Sequence, residues 1–430
     1  MIALLFVLLI ALVLLRIPVI LALALVGLVG MFSTQDVTPA FFAQRSFSSL
    51  DSFSLLALPY FILAGSLMSK GGLSEALVAM GKGLFGHWRG GLGNASVVSC
   101  VSMANVSGSS AAEAAAIGSV TIPAMKAENY QPGLAASIVA AAATIGPVIP
   151  PSMTMIIYGS MTGVSIGGLF LAGVVPGLIM ATALIALIFL MSYLPAFPAL
   201  AHREPWQGFR ALLQHVRRSW VALLAPVLII GGIFSGLFTA TEAGVVTCLY
   251  AYLTSRYYYR SITSSDLPRI VVDAGLTTAT VVGIIAMAGS IGWLLSFMEF
   301  HLLALEKIQL LSQHPQTVLM VLVGGMLLMT MFLESLAVLI LFVPVLAHLG
   351  QAYGFDPLHL GVLVVIATQI GAITPPVAVL MFITGSIAEA SSSETILYSI
   401  PFVLTLMAVL ILLMFVPELV TWLPSRMVAG

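Results

Sequence analysis

The sequence predicts an all-α polytopic membrane protein of two inverted-topology repeats, each with a re-entrant helical hairpin and a Pro/Gly-broken transmembrane helix. Three observations carry that expectation: a composition that water cannot solvate, basic residues gathered in a few loops, and a self-match between the two halves. Of 430 residues, 15 are Lys or Arg and 16 are Asp or Glu, so 7% charged residues stand beside 60% hydrophobic ones. A soluble protein carries roughly a quarter charged residues. With a mean hydropathy of +1.14, a soluble enzyme, a nucleic-acid binder and a disordered chain are excluded. The net charge of −1 leaves no electrostatic footprint for DNA or RNA. Cys100 and Cys248 both lie in apolar stretches, which argues against a disulfide framework or a thiolate metal site. Long Leu/Ile/Val/Ala runs fit spanning helices rather than the alternation of a barrel.

Residues 1–58 read as N-terminal scaffold helices. Met1 to Leu15 has neither a basic leader nor a small-residue cleavage site before Arg16 and Pro18, so it is expected to be a retained membrane segment. The basic groups Lys70, Lys82 and Arg89, then Lys126, then Arg203, Arg210, Arg217 and Arg218, then Arg256, Arg260 and Arg269 mark cytoplasmic loops. Lys82, His87, Trp88 and Arg89 read as an interfacial anchor.

Between Arg89 and Lys126 lie 36 residues, whereas two spans and a turn need about 40 or more. The middle of that stretch, MANVSGSSAAE (Met103–Glu113), is small and polar. It reads as a re-entrant hairpin at about 90–125, its tip covered by protein or water. A broken helix at about 132–158 and a span ending near Tyr193 complete a first repeat over 59–192. Residues 193–219 form a cytoplasmic connector too short for a soluble domain. A second scaffold segment, 220–272, leaves and returns; in it Glu242 of FTATEAG suits a helix start. Residues 273–298 then cross outward to a loop with Glu299, Glu306 and Lys307.

The halves match at an offset of 225 residues, TIGPVIPP (Thr144–Pro151) against QIGAITPP (Gln369–Pro376). Pro132 and Pro357 each lie 18 residues before Pro150 and Pro375, while Pro176 and Pro401 each lie 25 after Pro151 and Pro376. Glu113 and Glu334 each precede a proline, Pro123 or Pro344, by ten residues. A second repeat is therefore expected over 273–416, with a hairpin at about 316–349, a broken helix at about 357–385, and a tail over 417–430. The second hairpin's tip is TMFLES (Thr330–Ser335). One extra crossing puts its ends on the opposite side from the first, the inverted arrangement of many secondary transporters.

Three prolines and a glycine within ATIGPVIPPS (Ala143–Ser152) cannot continue a helix, because each proline removes a donor and clashes with a carbonyl one turn back. The break frees carbonyls on one side and amides on the other. A small cation can bind the first and an anionic group can meet the second; a packed proline kink is the structural alternative. IGAITPPVA (Ile370–Ala378) repeats the pattern. At the first tip, Asn105, Ser107, Gly108, Ser109 and Ser110 offer oxygen ligands for a hard cation such as Na⁺, or small-residue packing between helices. Glu113 and Glu334, ionisable and in apolar surroundings, either hold the tips or touch a ligand.

With these motifs the sequence resembles the large membrane (M, DctM-type) subunit of tripartite ATP-independent periplasmic (TRAP) transporters. The matching elements are PYFILAGSLMSKGG (Pro59–Gly72), SGSSAAE (Ser107–Glu113), IGPVIPPS (Ile145–Ser152), GIFSGLFTATEAG (Gly232–Gly244) and TPPVAVLMF (Thr374–Phe382). The resemblance implies an elevator-type, Na⁺-coupled importer of organic acid anions of the ion-transporter superfamily, in the bacterial inner membrane. It also implies a small membrane subunit and a periplasmic substrate-binding protein as partners, and no cofactor beyond the coupling ion. Carried over by motif, the cation sites comprise Asn105, Ser107, Gly146 and Pro150 in one half and Gly325, Gly371 and Thr374 in the other. Ser109, Ser110, Pro151, Pro375 and Pro376 adjoin them as substrate-site candidates. The second tip departs from the pattern by lacking the serine-rich run of the first.

Other classes find less in the sequence. There is no GxxxxGK[ST] loop for nucleotide hydrolysis, and an intramembrane enzyme lacks HExxH and GxSxG motifs. Ser107 and Ser109 have no histidine within the hairpin to act as base. A passive channel would need no ion gradient. A self-sufficient Na⁺/carboxylate symporter would need no binding protein. No motif chooses among C4-dicarboxylates, sialic acids, keto acids and sugar acids as cargo.

Overall fold

The computed structural model describes residues 1–15, 17–34, 38–203, 205–206 and 208–428. Arg16, discussed above, lies outside them, as does the side chain of Arg218. The chain begins with α1 (Ile2–Leu14), α2 (Val19–Thr34) and α3 (Pro39–Ser48). A 3₁₀ turn leads into α4 (Ala57–Lys70), and α5 (Leu73–Phe85) precedes the first hairpin, α6 (Gly91–Ser107) and α7 (Ser110–Ala127). The broken helix consists of α8 (Pro132–Ala143) and α9 (Met153–Thr162), and α10 (Ile166–Met191) closes the first repeat. Two further helices follow, α11 (Phe209–Phe234) and α12 (Ala240–Leu253), the latter prolonged by a π turn to Tyr258. The second repeat comprises α13 (Leu267–Phe297), α14 (Phe300–Leu311), the hairpin α15 (Pro315–Thr330) and α16 (Ser335–Ala352), the broken helix α17 (Pro357–Ala372) and α18 (Val379–Ala388), and α19 (Ser392–Phe415). A last helix, α20 (Glu418–Val428), packs on α10 and α17.

Local chemistry accounts for the helix ends. Proline opens α3, α8, α13, α15 and α17, where its missing N–H would have no partner in any case. The Asp356 carboxylate caps α17 by accepting from the His359 amide at 2.8 Å. Glu242 is the acid of a capping box, its carboxylate accepting from the Thr239 amide at 2.8 Å, as the helix-start expectation required.

Several expected boundaries move. Positions 59 and 273 fall inside α4 and α13 rather than at their starts. The second half of the 193–219 connector is the opening of α11, the loop expected after 298 is mostly α14, and the 417–430 tail is largely α20. Around 209–219 and 300–311 charged residues were read as connector or loop, whereas an amphipathic helix also carries charges on one face.

From one hairpin to the next run α8/α9, α10, α11, α12 and α13, of which α10 and α13 are each long and apolar enough to cross a membrane. At 12 residues α14 is too short to cross. Counted as passes, these five segments are odd in number, which gives the repeats inverted topology. Their packing is correspondingly exchanged: α4 lies against α12, α13 lies against α2, and α4 and α13 meet each other. The proline landmarks fall at matching places, Pro123 and Pro344 inside α7 and α16, Pro176 and Pro401 inside α10 and α19.

The two half-helices α8 and α17 are the centre of the molecule. Every residue from Gly133 to Ala143 and from His359 to Ala372 is buried, as expected of helices that are apolar on all sides. The first is encircled by α6, α7, α18 and α19; the second by α15, α16, α9 and α10. Between apolar helices in lipid the hydrophobic effect contributes little, so close fit of small residues has to hold them together. Gly173 and Gly177, one turn apart on α10, show how tight that fit is. A Cβ on the first would lie 2.2 Å from the Val148 carbonyl oxygen, and one on the second 2.3 Å from Ile149 Cγ1.

Candidate functional site

The first break runs from Thr144 to Ser152, between α8 and α9, and is buried along its whole length. Its carbonyls are less stranded than proline chemistry alone suggests. Ala141, Ala142 and Ala143 accept from the amides of Thr144, Ile145 and Gly146 at 3.2, 3.1 and 3.2 Å, as in a 3₁₀ turn. Ser152 turns back, donating its hydroxyl to the Pro147 carbonyl and accepting from the Met155 amide at 3.2 Å, so that one side chain joins the break to the start of α9. The Pro150–Pro151 peptide is cis, and so is Pro375–Pro376 in the second break.

The first hairpin tip is confined to Gly108 and Ser109, because α6 continues helically through Ser107. Gly108 has φ +55°, and a Cβ there would lie 2.5 Å from the Pro151 carbonyl oxygen and 3.2 Å from the Met153 amide nitrogen. Only glycine satisfies both the left-handed turn and this approach. Ser109 caps α7 by accepting from the Ala112 amide at 3.5 Å. One turn on, Glu113 is fully buried, and its carboxylate lies against Gly146, where a Cβ would be 2.3 Å from Oε1.

The second tip reaches its own break by different atoms. Met331 accepts from the Val377 amide at 3.1 Å, and Gly371 receives Thr330, whose Cβ would stand 2.5 Å from a Cβ on the glycine. Glu334 is the N-cap of α16, its carboxylate accepting from the Leu336 and Ala337 amides at 3.0 and 3.2 Å. Thr374 donates to the Ile370 carbonyl at 2.7 Å. This break is half open, with Pro376 and Val377 exposed.

The two tips meet. Gly108 to Ala111 and Glu334 to Leu336 line one cavity of about 60 Å³, closed by Pro147, Met153, Thr154 and Gln369. That volume is several times the roughly 10–15 Å³ one water needs, enough for a carboxylate head. Its walls differ in charge. On one side the amide end of α7 is capped by the neutral Ser109, while Glu113 in the same first turn lies against Gly146 and is not among the cavity walls; on the other a carboxylate occupies the amide end of α16. Gln369 is 1% exposed, and its Oε1 has no hydrogen-bond partner among the described residues.

Ser109 and Met153 also line a larger cleft of about 440 Å³ between α4, α7 and α13, which extends to the Lys70–Asp273 ion pair. A second cleft, of about 300 Å³, lies at the opposite end of the α4/α13 pair, lined by Asp51, Ser160 and Trp293 among others. It shares no lining residue with the chamber between the tips.

Ser109 and Ser110, expected near substrate, line that chamber. Pro151 stands behind it, against Gly108, while Pro375 and Pro376 are not among its walls. Gly146 and Gly371 each sit where a hairpin touches a break. Pro150 is buried in the first break and Thr374 closes the second. The side chains of Asn105 and Ser107 lie outside the described residues. Gly325 stands apart: it is in mid-α15, open to an apolar groove lined by Phe300, Met326 and Phe342, and Thr330 rather than Gly325 meets Gly371. Sequence reasoning missed Gln369, although the signal was present, since the repeat match sets this long amide opposite Thr144. Lys70 was read only as an orientation marker.

The family model described as the DctM component of the tripartite ATP-independent periplasmic transporter matches residues 6–419. The chain is 35% identical to the 2,3-diketo-L-gulonate TRAP transporter large permease protein of Escherichia coli, over 94% of each chain. It is 33% identical to the C4-dicarboxylate TRAP transporter large permease protein of Vibrio cholerae, over 99% of this chain and 97% of that one. Among solved structures, the YdaH transporter of Alcanivorax borkumensis superposes with a TM-score of 0.61 at 16% identity, covering 89% of this chain and 88% of that one, a likeness of fold. A helical membrane chain with two inverted repeats, matched over nearly its full length, belongs to the DctM-component family of TRAP transporter large permeases.

Proposed function

We propose that the chain is the translocating subunit of a Na⁺-coupled importer of organic acid anions, working with a small membrane subunit and a periplasmic binding protein that delivers the cargo. The observation that carries the reading is the chamber between the hairpin tips, with an amide-rich wall at Ser109–Ala111 and an acidic wall at Glu334. An anionic head is favoured at the Ser109–Ala111 wall, from which the Glu113 carboxylate is turned away onto Gly146, and a small cation is favoured beside the Glu334 carboxylate and the carbonyls of the breaks. Gln369 offers an unpaired amide oxygen, an acceptor suited to the cation. The relatives' names specify 2,3-diketo-L-gulonate and C4-dicarboxylate, both organic acids, which supports that cargo class.

Elevator motion accounts for the two clefts. The hairpins and broken helices pack around α8 and α17, whereas α2, α4, α12 and α13 pack on one another and meet the hairpins where α4 touches α6 and α13 touches α16. The large cleft follows the seam between these groups and joins the chamber, while its opposite number does not. With Lys70 on the cytoplasmic side, the conformation is inward-facing. Moving the hairpin unit toward the other end would exchange the two paths.

The test is uptake into proteoliposomes holding this chain and its small subunit, with the cognate binding protein and a panel of labelled organic acids. Uptake is expected in a Na⁺ gradient and not in a K⁺ gradient. Equal rates in the two would reject Na⁺ coupling, and unchanged uptake without the binding protein would make the chain a self-sufficient carrier.

A further inference from the structure

The ion pair at the end of the large cleft has no evident packing role. Lys70 ends α4 and Asp273 stands two turns into α13, their atoms 2.6 Å apart and their side chains 46% and 48% exposed. Both line the cleft that leads to Ser109, with the hydroxyls of Ser66, Ser69 and Thr277 beside them. An exposed pair of this kind is weakly held and easily opened by a competing ion. Asp266 also feels Lys70, but its carboxylate accepts from the Thr263 amide at 2.8 Å and from the Thr263 hydroxyl. Arg269, one turn before Asp273, adds a second positive charge near that carboxylate.

We propose that Lys70, with Ser66 and Ser69, forms a transit site for carboxylates on the cytoplasmic path, and that Asp273 holds its place between passages. A carboxylate leaving the chamber replaces Asp273 on the ammonium group, so one charge-assisted bond is exchanged for another of the same kind. Asp273 then displaces the cargo towards the cytoplasm. The pair thus offers an anion a foothold without a trap. This inference rests on the transport reading above, so its test is one that reads the charge of the cleft without transport.

The full-length chain with its small subunit, in membrane vesicles, is given a single reporter, Ser66→Cys, with Cys100 and Cys248 replaced by alanine. The probes are the anionic sulfonatoethyl and the cationic trimethylammonioethyl methanethiosulfonates. The anionic probe is expected to react faster. Lys70→Gln should lower the anion-to-cation rate ratio about tenfold, Asp273→Asn should raise it several-fold, and Lys70→Arg should preserve it. A ratio that stays within twofold in Lys70→Gln, or a reporter that neither probe reaches, would overturn the proposal. Should Lys70→Gln fail to accumulate, an unchanged ratio in Asp273→Asn overturns it equally. Because the ratio is read without uptake, a failure of the transport reading registers separately.

Discussion

Gly146→Ala puts a methyl group where Glu113 keeps its carboxylate. The new Cβ would lie 2.3 Å from Oε1 and 2.5 Å from both Cδ and Oε2. Ordinary contact begins near 3.4 Å, so the carboxylate has to retreat by about 1 Å. It has little room to do so, since Glu113 is 0% exposed and α7 is packed on α8. Overpacking of this kind costs about 1–3 kcal/mol. Glu113→Ala removes all three clashing atoms, so the alanine at 146 should be nearly free of cost in that background. The pair should then show a coupling energy of about 1–3 kcal/mol in a double-mutant cycle. Reversible unfolding in mixed detergent micelles measures the stabilities, and uptake in proteoliposomes follows the function. If the two substitutions add to within roughly 0.5 kcal/mol, the contact between hairpin and break does not exist as described. A Gly146→Ala variant as stable as the parent would refute it as directly.

Gln369→Met removes an amide oxygen that is buried without a partner, a group that costs about 1–3 kcal/mol; unfolding should show equal or higher stability while uptake falls about tenfold or more, one hydrogen bond's worth of ligand affinity. Lower stability with normal uptake would show that Gln369 serves the fold and not the cargo. Glu334→Ala removes the cap of α16 and should cost about 1–2 kcal/mol, most of it restored by Glu334→Asp or Glu334→Ser, as measured by the same unfolding assay. Gly325→Ala meets nothing within 4 Å; it should be neutral or gain up to about 1 kcal/mol from helix propensity, and the Na⁺ dependence of uptake should not change. A weakened dependence would return Gly325 to the cation site.

The features legible in the sequence were those that interrupt it. Pro132, Pro150, Pro151 and Gly108 mark helix starts and stops by backbone chemistry, so the hairpins and breaks fall close to their expected residues. Surface helices were not legible: the charges of α14 and the start of α11 have the same composition as a loop, and only the packing partner distinguishes the two. Glu113 and Glu334 mark another boundary of sequence reasoning. Both stand ten residues before a proline, yet α7 begins one turn earlier than α16 relative to that proline. One acid therefore lies inside its helix against a glycine and the other caps its helix. Gly325, expected in the cation site from the family resemblance, lies in mid-α15 on an apolar groove.

The exchange of partners between α4 and α12 has a consequence for biosynthesis. The last residue of α4 leaves the ribosome about 170 residues before α12 begins, which at typical elongation rates is a wait of roughly ten to thirty seconds. During that interval the nascent first half sits in the bilayer with one flank facing lipid alone. α13 reverses the order, since its partner α2 has been waiting since the start of synthesis. Assembly therefore proceeds from the carboxyl half back onto the amino half. Truncation after α10 should leave a product that inserts but is cleared by membrane proteases.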